Sequence, residues 1–190
     1  MNNTYTKLET WCLANRKSAT APAFILLLIL AKPTILSLAL GGIMVCLGEM
    51  GRTWSSGYID KNAKLATAGP YRFTRNPLYF FNAMIFVGFC VMAFNPWAAF
   101  FGILSFTIIY RATMRSEAAF IAGIFGEEFT KWIAVVPMFW PKWTNYPAQG
   151  QFSWPLVAKH REQKNALAML AGIILFIGIY YLQIYISTHA

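Results

Sequence analysis

The chain has 190 residues, of which 57% are hydrophobic, 17% aromatic and 12% charged. Soluble domains carry roughly 25% charged residues. About half that leaves too little polar surface to cover a globule, so a water-soluble fold is excluded. The net charge of +9 would suggest nucleic acid in a soluble protein. Here the basic residues lie between apolar runs, where they suit the anionic face of a membrane, and no nucleic acid partner is expected.

Residues 1–18 are largely polar and do not read as a cleaved signal peptide. Apolar residues run over 21–31, stop at Lys32-Pro33 and resume over 34–47. Each run is shorter than the roughly 20 residues that cross hydrocarbon. The pair is either a hairpin of two short spans or one long kinked segment. Lys32 beside Pro33 favours the hairpin, over 19–48, because Pro opens a helix and Lys can reach water from a turn. The polar stretch 49–77 is expected to be a cytoplasmic loop. Residues 78–110 form a second helical hairpin, its two runs joined at Asn95-Pro96, an N-cap followed by Pro at the first helical position. The mixed region 111–165 comes next, and 166–187 is an almost unbroken apolar span.

The expected fold is therefore all-α, a polytopic integral membrane helical protein in a single domain over 1–190, with about five transmembrane helices. With the N-terminus in the cytoplasm, every Lys and Arg except Lys32 lies on the cytoplasmic side, the arrangement the positive-inside rule selects. Both large loops, and any chemistry on them, then face the cytoplasm.

The first loop ends in Gly69-Pro70-Tyr71-Arg72 and Arg75-Asn76-Pro77-Leu78-Tyr79. Gly-Pro marks a turn. Arg72 and Arg75, three apart, share a face if this stretch is helical. Asn76 and Pro77 cap and open the next span, whose free N–H groups favour an anion. On the residues alone, a basic loop anchored to lipid phosphates accounts for this pattern equally well. The second loop continues the fourth span through Arg111, Arg115 and Glu117 to Phe125-Gly126-Glu127-Glu128-Phe129. Gly126 is expected to stop that helix. A carboxylate as close to the membrane as Glu117 is costly unless it meets a cation, which pairing with Arg75 or Arg115 would also satisfy. Glu127 and Glu128 read as solvated turn residues or partners of the basic loop. Further on, Trp132, Trp140, Trp143 and Trp154 suggest a path along the headgroups.

Other chemistries find little support. Cys12, Cys46 and Cys90 have neither ligand spacing nor a disulfide pattern and read as apolar packing residues. His160 and His189 are too few and too scattered for a metal centre. Neither a Ser-His-Asp order nor a nucleotide-binding glycine pattern after a strand can be drawn.

In order, these two motifs flanking an apolar hairpin resemble the isoprenylcysteine carboxyl methyltransferase / phospholipid methyltransferase superfamily. The resemblance implies a cytoplasmic pocket for S-adenosylmethionine and an acceptor that enters from the bilayer. It sets Arg75, Asn76, Pro77 and Tyr79 where the family has Arg-His-Pro-x-Tyr, and Glu117 at the first Glu of its Glu-Glu-x-x-Leu helix. Glu117 and Arg75 are the implied catalytic pair. Tyr71, Arg72, Arg75, Asn76, Pro77, Tyr79, Glu117, Glu127 and Glu128 are the implied cofactor-binding set. Three positions depart from the pattern: Asn76 stands for His, Ala118 for the second Glu, and Met138 for the Arg of Val-Pro-Arg-Phe-x-Pro. The implied acceptor is a membrane lipid or lipidated molecule, a phospholipid amine or an isoprenylcysteine-like carboxylate. The implied location is a bacterial inner membrane with the site on its cytoplasmic face. Two other functions remain open at this point: a non-catalytic lipid- or partner-binding module, and an NADPH-dependent sterol-reductase-like enzyme.

Overall fold

A computed structural model describes residues 21–60 and 64–189. The polar leader, Cys12 and the first residues of the 19–48 hairpin lie outside the described residues. Among the described residues all regular structure is helical. Helix α1 covers 21–29. It is followed by α2 (Ile35–Ser56), a 3-10 turn (Gly69–Arg72), α3 (Pro77–Ala93), α4 (Pro96–Val135), α5 (Trp154–Lys159) and α6 (Glu162–His189).

Three helices, α2, α4 and α6, are long and apolar enough to cross a membrane, and α3 is a shorter apolar helix. At about 1.5 Å per residue, the 22 residues of α2 reach roughly 33 Å, enough for a hydrocarbon core of about 30 Å. The stretch of α4 before the Gly126 kink, Pro96 to Phe125, reaches roughly 45 Å, so this helix continues beyond the bilayer. α6 is the most apolar of the three and the least covered, with 11% of its most apolar stretch buried. Ile29, Ile35, Leu36 and Trp97 are each about 70% exposed or near it. Lipid is the solvent that such a surface requires, and the chain is an integral membrane protein.

The chain divides into two units. The first comprises residues 1–42, 86–118 and 173–190. Its core is a cluster of three rings, Phe24, Phe89 and Phe176, with centroids 5.2–6.2 Å apart. Phe24 meets Phe89 and the Lys32 N–H donates to Ala93 O, so α1 runs alongside α3 in the same direction. Ser37 Oγ reaches Met92 O, and Gly41 sits against Gly88 and Met92, so α2 runs the opposite way. α1 and α2 are therefore antiparallel to each other. Thr34 and Ser37 exchange backbone-to-hydroxyl bonds of 2.9 and 3.1 Å, a reciprocal cap at the start of α2. Asn95 Oδ1 accepts from the Ala98 N–H at 3.0 Å, the N-cap read from Asn95-Pro96, and its Nδ2 donates to Leu30 O.

The second unit comprises residues 43–85 and 119–172. Here α2 and α3 approach closely through glycine: a Cβ on Gly51 would enter the Phe81 ring, and one on Gly48 would meet Ile85. This contact, with Ser55 and Ser56 hydroxyls bonded back to Gly51 O and Thr53 O, carries α2 to Ser56. The loop expected from residue 49 therefore begins two turns later. α6 likewise starts at Glu162 rather than 166, because the Glu162 carboxylate is held by Arg52 and Asn165. Gly126 (φ 50°, ψ −114°) is non-helical and ends the first stretch of α4, as read from the sequence, and a second helical stretch follows the kink to Val135.

Candidate functional site

The motif before α3 folds as a 3-10 turn, Gly69–Arg72, followed by irregular backbone to Asn76. Gly69 has φ +59°, and a Cβ there would strike the Tyr58 ring. The condition for Arg72 and Arg75 to share a helical face is not met, and the two arginines do different things. Arg72 Nε donates to Thr144 O at 3.3 Å, while Thr144 Oγ1 donates to Arg72 O at 2.7 Å. The Arg72 guanidinium also lies 5.4 Å over the Trp143 ring. Arg72 thus fastens the loop after α4 to the loop before α3.

Arg75 sits one step further along the same seam. Its backbone N–H donates to Pro137 O at 2.9 Å, and its neighbours Thr74 Oγ1 and Asn76 Nδ2 both donate to Met138 O, at 3.3 and 2.9 Å. Lys142 N–H closes the seam onto Phe73 O. The Arg75 backbone is therefore held from both sides. Its Nε, by contrast, is buried and has no hydrogen-bond partner among the described residues. Burial also lowers the Arg75 pKa from its usual value. Buried donors normally find acceptors, which sets this nitrogen apart from the Arg72 Nε.

Asn76, at the position of the family's His, serves the seam through Met138 O, and the Met138 backbone performs that service whatever its side chain. Pro77 is fully buried and opens α3, as read from the sequence. Tyr71 is buried in the 3-10 turn and Tyr79 half-buried on the first turn of α3. Phe80 packs against Phe139 and Trp140, centroids 5.8 and 6.4 Å away, which makes an aromatic wall beside the seam. Glu117 is half-buried on α4 and belongs to the first unit. Glu127 and Glu128 are exposed, and Glu127 pairs with Lys131 at 2.9 Å, one helical turn on.

The tryptophans separate into two groups. Trp140, Trp143 and Trp154 are 68–75% exposed, as a headgroup path requires, but Trp132 is 3% exposed. It joins Phe129 and Val136 on one buried face of α4 after the Gly126 kink. Their spacing of three and then four residues was the available signal. The Trp132 indole N–H is also buried without a partner among the described residues.

A second polar cluster gave no motif. Arg52 on α2 donates to Asn82 Oδ1 on α3 at 2.6 Å and to Glu162 on α6 at 3.1 Å. Glu49, one turn before Arg52, lies 3.9 Å from its Nε, an ion-pair distance too long for a hydrogen bond. These partners are 30 and 110 residues away in sequence, which hid them from any local reading.

A family model described as phospholipid methyltransferase matches residues 24–128. The chain is similar to the cobalt-zinc-cadmium resistance protein CzcN of Cupriavidus metallidurans, 35% identical over 146 residues that cover 76% of this chain and 64% of that protein. It is also similar to the nickel-cobalt-cadmium resistance protein NccN of Alcaligenes xylosoxydans xylosoxydans, 31% identical over 144 residues, 75% of this chain and 64% of that protein. The chain thus spans just under two thirds of the length of these relatives. No solved structure matches it significantly.

Proposed function

Because the chain belongs to the phospholipid methyltransferase family, we propose that it is a membrane methyltransferase that uses S-adenosylmethionine to methylate a lipidic or amphipathic acceptor. The observation that carries this reading is Arg75. It stands at the arginine of the family motif, its backbone is fixed by the 137–138 segment, and its Nε is buried and lacks an acceptor among the described residues. A carboxylate is the group a guanidinium takes best, and the amino-acid arm of the methyl donor ends in one.

The bound donor supplies a methyl group on a sulfonium, which leaves the protein to orient two reactants and exclude water. Arg75 holds the carboxylate. Thr74 and Asn76 keep the turn that aims it. Phe80, Phe139 and Trp140 supply apolar rings suited to keeping water from the reacting centre. Tyr71, Pro77 and Tyr79 build the turn and the first helical residues around it. Glu117 is kept as a donor-binding candidate by its place in the second motif alone. Met138, where the family has arginine, offers no cation to steer a carboxylate acceptor, which favours an amine. The charge bias supports a site on the cytoplasmic face of the membrane, a bacterial inner membrane on this reading.

The experiment is isothermal titration of the purified protein in detergent with S-adenosylhomocysteine. Binding that weakens at least tenfold in Arg75→Ala and in Glu117→Ala is the expected result. No binding, or binding indifferent to both substitutions, would falsify the reading. The relatives are named for resistance to cobalt, zinc, cadmium and nickel. On this reading the chain serves such resistance by altering a lipidic acceptor, so methylated lipid should accumulate in cells grown with cobalt and not in cells expressing Arg75→Ala.

A further inference from the structure

Three hydrogen-bond donors in the second unit are buried without a hydrogen-bond partner among the described residues: Arg52 Nε, which has the Glu49 carboxylate 3.9 Å away, and Arg75 Nε and Trp132 Nε1, which have no such charge beside them. Trp132 lies beyond the residues that the family model matches, so no motif assigns it a role. Arg75 and Trp132 belong to segments joined by hydrogen bonds. Trp132 O accepts from the Val136 N–H at 2.9 Å, Pro137 O accepts from the Arg75 N–H at 2.9 Å, and Met138 O accepts from Thr74 and Asn76 on either side of Arg75. Trp132 therefore stands five and six residues before Pro137 and Met138, the residues that fix Arg75, and is tied to the start of that segment through Val136.

The Trp132 ring itself is accounted for by packing. It lies 5.9 Å from the Phe129 ring, on the buried face shared with Val136. That packing explains an aromatic residue, which phenylalanine would serve, and leaves the indole N–H unexplained. Buried tryptophans usually find a partner for this group. Two donors, one of them charged, with no acceptor between them call for an anionic oxygen.

We propose that Trp132 and Arg75 form an anion-holding pair, and that the group it takes is the carboxylate at the end of the methyl donor's amino-acid arm. This inference rests on the methyl-donor reading above. Its two oxygens can accept from the two donors separately, one from the guanidinium and one from the indole. Trp132 is then a cofactor-binding residue, and its N–H discriminates the intact donor from adenosine thioethers that lack the arm.

The test uses the full chain in detergent micelles and two ligands, S-adenosylhomocysteine and methylthioadenosine, which lacks the amino-acid arm. Trp132→Phe keeps the ring and removes the donor. It should weaken S-adenosylhomocysteine binding roughly tenfold to a hundredfold, the range for a hydrogen bond to a charged group. Methylthioadenosine binding should not change. In the wild type, the indole N–H resonance missing from the Trp132→Phe spectrum should move with S-adenosylhomocysteine and stay with methylthioadenosine. Equal weakening of both ligands would reduce Trp132 to a packing residue and overturn the proposal. So would unchanged binding, or a resonance that moves with inorganic phosphate but not with S-adenosylhomocysteine. If S-adenosylhomocysteine binds and depends on Arg75 while Trp132→Phe has no effect, this inference alone falls. If it does not bind the wild type at all, the methyl-donor reading falls with it.

Discussion

At the scale of single residues, Arg72 and Arg75 show that two identical side chains three positions apart can be separated by what their nitrogens already hold. The Arg72 Nε is bonded to Thr144 O and its guanidinium lies over Trp143, whereas the Arg75 Nε has no acceptor among the described residues. Arg72→Ala should therefore lower stability, by about 1–2 kcal/mol for one hydrogen bond and one cation–π contact. It should leave the affinity for S-adenosylhomocysteine within about twofold of wild type, a change under 0.5 kcal/mol. Arg75→Ala should do the reverse. Melting curves and titrations on the two variants measure both effects, and a ligand affinity lost with Arg72 would place it in the binding set after all. The sequence could not make this distinction, because Thr144 lies 72 residues away.

At the scale of elements, legibility followed locality. Asn95-Pro96 and Lys32-Pro33 act within a few residues of themselves, and each marks a helix start or a turn where the structure has one. The extra turns of α2 to Ser56 and the early start of α6 at Glu162 were not legible, because a long-range cluster stabilises both. Arg52 joins α2 to Asn82 on α3 and to Glu162 on α6, with side chains of Arg52 and Glu162 only 16% and 6% exposed. Two carboxylates, Glu49 and Glu162, depend on this one cation. Removing one partner of a buried ion pair strands the other and costs about 3–5 kcal/mol. Arg52→Gln should accordingly lower the melting temperature sharply, and adding Glu162→Gln should restore part of it by removing a stranded charge. A melting temperature equal to that of the wild type in Arg52→Gln would show that the cluster is not a structural tie. Trp132 failed the sequence reading for a related reason. Its composition suggested a headgroup residue, while its spacing from Phe129 and Val136 put it on a buried helical face.

At the scale of the whole molecule, the orientation in the bilayer is the property on which the proposed chemistry depends, and it rests on charge. Lys32 follows the short helix α1, and every other Lys and Arg falls on the opposite side if the N-terminus is cytoplasmic. α2 is long enough for one crossing, and the stretch of α4 from Pro96 to the Gly126 kink reaches about 45 Å, so the kink lies beyond a crossing that starts at Pro96. α6 has Lys159, Arg161 and Lys164 at or before its start, and its last turns carry no Lys or Arg. Its C-terminus should therefore lie outside. The prediction can be checked with Cys12, Cys46 and Cys90 replaced by Ser and a single new thiol introduced at either end of this arrangement. Thr188→Cys should react with a membrane-impermeant maleimide in intact spheroplasts. Lys142→Cys, on the loop that fastens Arg72 and Arg75, should react only in inverted vesicles. The opposite labelling pattern would turn the proposed methyl-donor site away from the cytoplasm, and with it the supply of its cofactor.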